Sequence, residues 1–110
     1  ETASRPVVVA DTQDNPGGGG HGDTTGLLAE LIRQDAQGAV LGLINDAGSA
    51  AACHAAGVGA TIPLLLGGRS DGAPLAVTAV VEALTDGRFD LLYAFVFGQG
   101  SGKLGAAIAA

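Results

Sequence analysis

Tryptophan and methionine are absent, and the 110 residues include only one tyrosine, three phenylalanines and one cysteine. With so few large side chains, a core has to be assembled from small ones, and the chain is rich in them, with 21 Ala and 19 Gly. Each of these buries little area. At roughly 25 cal/mol per Å² of apolar surface, such a core is thin and implies that a larger protein covers one face of the domain. A single cysteine, Cys53, excludes an internal disulfide and fits a reducing, cytoplasmic setting. Basic residues are also scarce. Five Lys and Arg stand against eleven Asp and Glu, a net charge of −6, so no phosphate-binding patch can form and nucleic acid is not an expected partner. No apolar run approaches the ~20 residues of a membrane span, so a membrane is not expected either. No charged-then-apolar leader pattern stands at Glu1. The 47% hydrophobic content excludes wholesale disorder.

What is present has the organisation of a single α/β domain. Pro6-Val-Val-Val-Ala10 reads as a buried strand. A polar, glycine-rich loop follows over Asp11 to Asp23, and any of Asp23, Thr24 and Thr25 can cap the helix after it. Leu27, Leu28, Leu31 and Ile32 then share one helical face, with Gly38 as a stop. Residues 39–44 (AVLGLI) read as a second strand, and Asp46 can cap an alanine-rich helix over residues 47–56 that ends at Gly57. Residues 61–66 (TIPLLL) form a third strand; Pro63 cannot donate to a ladder, which places the stretch at an edge or starts it after the proline. This order implies a βαβαβ unit with parallel strands. It gives way to an antiparallel hairpin, in which residues 75–84 and 89–97 flank Thr85-Asp86-Gly87-Arg88. Period-two spacing of Phe89, Leu91, Tyr93, Phe95 and Phe97 puts every aromatic on one face. The last residues resemble a turn and the start of a further strand, as in a domain truncated at its C-terminus.

The loop over Asp11 to Asp23 is the one dense collection of functional groups. It lies beyond a strand's carboxyl end and before a helix N-terminus, where α/β proteins bind ligands. Asp11, Asp14, Asn15 and His21 supply acceptors, an amide and an imidazole, while Gly17, Gly18 and Gly19 allow close approach to the backbone. The bland alternative is a flexible turn. A nucleotide-binding module is another alternative, because Gly17-x-Gly19-x-x-Gly22 matches the dinucleotide fingerprint and Asp46 stands where a ribose-binding acid would. Against it, six residues separate the strand from the first glycine, and Asp11 and Asp14 would repel a pyrophosphate. A structural or oligomerisation domain is the third reading. No HExxH, no Cys-x-x-Cys and no pair of histidines at ligand spacing occurs, so no metal site is expected within the chain. Cys53 and His54, adjacent on a helix, read as a packed thiol beside a surface histidine.

The string from Val7 to Leu28, with Ala10-Asp11, Asp14-Asn15-Pro16-Gly17-Gly18-Gly19 and Gly22-Asp23-Thr24-Thr25, resembles the opening of the C-terminal domain of the MlrC-like metallopeptidases. The likeness continues through residues 42–46, 56–60 and 66–68, then Pro74-Leu75 and residues 84–89, about nine-tenths of the chain. This resemblance implies a zinc-dependent peptidase acting on linearised microcystin and other short peptides. Its zinc would be bound by an N-terminal domain that is absent here, so the fragment alone would be inactive. The partners implied are that N-terminal domain and a peptide substrate, with a homo-oligomer possible. Asp11, Asp14, Asn15, Gly17, Gly18, Gly19 and His21 would then line the cleft.

Overall fold

A computed structural model describes residues 6–86 and the backbone of residues 107–109. A short 3₁₀ turn, Pro16–Gly18, precedes helix α1 (Gly26–Arg33) and helix α2 (Ala47–Ala56). Strands β1 (Thr61–Leu66), β2 (Leu75–Ala83) and β3 (Ala107–Ala109) form one sheet in the order β1-β2-β3, antiparallel at both joins. The mixed α/β class therefore holds, and its layout differs from the βαβαβ expectation. Residues 6–10 and 39–44 are not strands among the described residues, and β1 pairs antiparallel with β2. Apolar, β-branched runs report a demand for burial but do not name a ladder partner; among the described residues β1 pairs with the strand that follows it. The expected second hairpin arm, residues 89–97, and its turn at Gly87-Arg88 lie outside the described residues. The further strand expected near the C-terminus is β3.

In β1 the side chains of Ile62, Leu64 and Leu66 turn inward while Thr61, Pro63 and Leu65 face out, the alternation of a half-buried strand. Val77, Ala79 and Val81 face inward from β2. Val81 donates to the carbonyl of Ala60 at 2.9 Å, which marks that pair as hydrogen-bonded. By the antiparallel alternation, residues 62, 64 and 66 repeat this position, and residue 63 turns its backbone nitrogen away from β2. Pro63 thus sits on the edge strand, as its chemistry requires, and costs no ladder bond.

Among the described residues the core consists of Cys53, Leu64, Leu66, Ala79 and Val81, with Leu28, Ile62, Val77 and Leu84 packed against it. Helix α2 lies on β1 and buries Ser49 and Cys53, which share a face at i, i+4 spacing. Its start and end follow the sequence: Asp46 accepts from Gly48 and Ser49 at 3.1 Å each, and Gly57 closes it at φ 86°. Cys53 is fully buried and His54 is exposed, so the thiol is a packing group. Helix α1 is shorter than expected, ending at Arg33 well before Gly38. Of its apolar face only Leu28 reaches the core; Leu27 and Ile32 remain exposed.

Candidate functional site

The glycine-rich loop is held by its own side chains. Asp11 Oδ1 accepts from the N–H of Gln13 at 2.9 Å and of Asp14 at 3.3 Å. Asn15, extended before Pro16 as the proline demands, caps the 3₁₀ turn through Oδ1 to the Gly17 N–H at 2.9 Å. The Asn15 carbonyl takes the N–H groups of Gly18 and Gly20, both at 2.9 Å, and Pro16 takes that of Gly19. Asp14 spans the loop, with Oδ1 on the Gly22 N–H at 2.8 Å and Oδ2 on the Thr24 N–H at 2.9 Å. The Thr24 and Gly22 bonds favour the charged carboxylate and hold its pKa below the usual aspartate value.

A second loop, residues 67–74 between β1 and β2, is tied by Asp23 to the first loop and by Asp46 to the start of α2. Asp23 is 1% exposed, and its Oδ2 accepts from Ser70 at 2.6 Å and Arg69 at 2.8 Å. Those bonds, Ser70 foremost, lower its pKa against the opposing effect of burial, and the nearby His21 helps. The Asp23 carbonyl also accepts the Gly68 N–H at 2.6 Å. Asp46 joins the start of α2 to the same loop, with Oδ2 on the Gly67 N–H at 2.9 Å and on the Ser49 hydroxyl at 2.8 Å. Burial pushes the Asp46 pKa up, but its bonds from Ser49 and Gly67 and the Arg69 charge together outweigh it, leaving the value lowered. Arg69 lies 3.7 Å from that carboxylate and bonds the Leu65 carbonyl. Thr25, the residue before α1, makes no cap; its hydroxyl donates to Ala73 at 3.0 Å. Asn45 completes the junction by donating its backbone N–H to Gly22 and its side-chain amide to the His21 carbonyl.

The structure therefore sorts the expected site residues. Asp14 is committed to the loop backbone through both oxygens. Asp11, Asn15, Gly17, Gly18, Gly19 and His21 are exposed. Asp23, Asp46, Thr25 and Gly67 were not expected to bind across 20 to 50 residues, and no local pattern announces such bonds. The N–H groups of Gly17 to Gly20 and of Gly22 are all spent inside the loop, which leaves none of them for a phosphate and weighs against the nucleotide reading. For a metal, no group of three or more His, Cys, Asp or Glu converges among the described residues. Nearly every carboxylate oxygen of Asp14, Asp23 and Asp46 already accepts a hydrogen bond; Asp23 Oδ1 is buried with no partner among the described residues. These residues by themselves do not fit a zinc centre.

The fold and the stitched loops define a mixed α/β domain whose glycine-rich loop is held by hydrogen bonds from its own side chains and backbone. The chain belongs to the MlrC C-terminus family, whose model matches residues 9–107. It is similar to Microcystinase C of a Sphingomonas species, 33% identical over 84 residues, which are 74% of this chain. Those residues span only 17% of that relative's length. No solved structure matches the chain.

Proposed function

We propose that the chain is the cleft-forming C-terminal domain of a zinc-dependent, cytoplasmic metallopeptidase that hydrolyses short or linearised, microcystin-type peptides. Family membership and the likeness to a microcystinase support the class. The observation that carries the role of this domain is the loop itself. Asp14 ties its backbone together and Asp23 ties it to residues 69 and 70, and Asp11, Asn15 and His21 stand exposed on that hydrogen-bonded frame, as groups that position a substrate must. Zinc in this reading is held by the part of the polypeptide outside this chain, and the domain alone is inactive.

The test uses the longer enzyme. Asp11→Ala and Asn15→Ala are expected to lower turnover of a linear peptide at least tenfold, while costing only about 0.5–2 kcal/mol, the scale of a lost cap. Asp14→Ala should instead lose folded protein and activity in parallel. Full activity in folded Asp11→Ala and Asn15→Ala enzymes removes the loop from the mechanism.

A further inference from the structure

Val7, Val8 and Val9 are 74%, 90% and 69% exposed, Val40 is 94% exposed and Leu43 63%. No backbone hydrogen bond joins residues 6–10 or 39–43 to any described residue. Yet both segments have the composition of strand interiors, and both lead directly into the stitched loops, at Asp11 and at Asn45. Leu43 moreover adopts φ 77°, a left-handed conformation disfavoured for a branched side chain, with no backbone hydrogen bond from another described residue to hold it there. Three consecutive valines without alternation are the pattern of a strand covered on both faces, unlike the half-exposed β1. Unpaired, such a segment leaves a row of N–H and C=O groups open beside apolar side chains.

We propose that residues 6–10 and 39–43 are strands completed by the remainder of the same longer polypeptide, which supplies the pairing edges and the apolar layers over them. This rests on the reading of the chain as one domain of a larger enzyme. The length relation favours that occupant: the matched residues make up 17% of the microcystinase, so most of such a protein lies elsewhere in its sequence. A tethered partner acts at an effective concentration in the millimolar range, far above that of a second copy. On docking, Leu43 would give up its left-handed conformation for an extended one.

Hydrogen exchange on the longer polypeptide and on the 110-residue chain tests this. Residues 6–10 and 39–43 are expected to exchange at least about 100-fold more slowly in the longer polypeptide, and rapidly in the short chain at every concentration. Val8→Lys in the longer polypeptide should restore fast exchange at residues 6–10. Fast exchange in both proteins overturns the proposal. So does protection in the short chain: if it grows with concentration, the occupant is a second copy, and if it does not, the cover comes from within the chain. Protection in a longer polypeptide that has no peptidase activity would sink the catalytic reading alone, whereas an active enzyme with unprotected segments sinks this one.

Discussion

Gly67 lies so close to the main-chain carbonyl oxygen of Asp23 that a Cβ on it would collide with that oxygen and with the Thr25 methyl. Its φ of 55° also lies in the region that side chains avoid. Gly72 has a comparable φ of 78°, but open space around it. Gly72→Ala should therefore cost only the backbone penalty of about 1–2 kcal/mol. Gly67→Ala should cost clearly more, because the two loops must also separate. Urea unfolding of both variants checks the order, and equal losses would show that the contact is not tight.

Asp46 does two jobs that a pair of substitutions can separate. Asp46→Ala removes the cap of α2 and the bond to Gly67, and is expected to cost about 2 kcal/mol, the upper end for a cap. Asp46→Asn can keep the Oδ1 acceptor toward Gly48 and Ser49 but places an amide donor against the Gly67 N–H. It should retain α2 helicity while faster exchange appears at Gly67.

Acid should loosen the loop junction before the core. Asp14, Asp23 and Asp46 all have folded pKa values below the ordinary 3.8. The native state then binds fewer protons than the unfolded chain, so their contribution is complete above that value and is lost as pH falls through the folded values. Unfolding measured from pH 7 downward should show stability flat to about pH 4 and falling below it. Asp14→Asn should flatten that fall. Glu30, drawn down to about 2 first by Arg33 and then by Gln34, sits on an exposed helix face where such pairs contribute little. Glu30→Gln should leave the profile nearly unchanged.

Cys53 is sealed in the core, and burial pushes its thiol pKa up. A neutral, inaccessible thiol is a poor nucleophile. An alkylating reagent at pH 8 should label it only as fast as the domain opens and completely in urea. Rapid labelling of the folded domain would contradict the packing described.

Local signals in the sequence located what local forces decide. Asp46 and Gly57 bound α2 because capping depends on residues one to four positions away, and Pro63 marked an edge because a missing N–H has only one tolerable direction. The placement of β1 against β2 was not legible, since the demand for burial in residues 6–10 and 39–44 looks the same whether a partner is present or not. At the site, the loop was conspicuous by composition, but the division of labour inside it was not. Asp14 and Asn15 differ by which atoms the backbone already occupies, and Asp23 reads as one more helix cap until residues 69 and 70 are brought to it.

Pro63 has one more effect. Its nitrogen faces the side of β1 away from β2, where no other described strand pairs, so the row of donors that an incoming strand would need is interrupted in the middle of TIPLLL. An apolar edge of this kind otherwise templates the addition of like strands and, at high concentration, fibres. Proline at this place acts as a gatekeeper. A Pro63→Val chain should fold as well as the original, and precipitate from solutions in which the original stays clear.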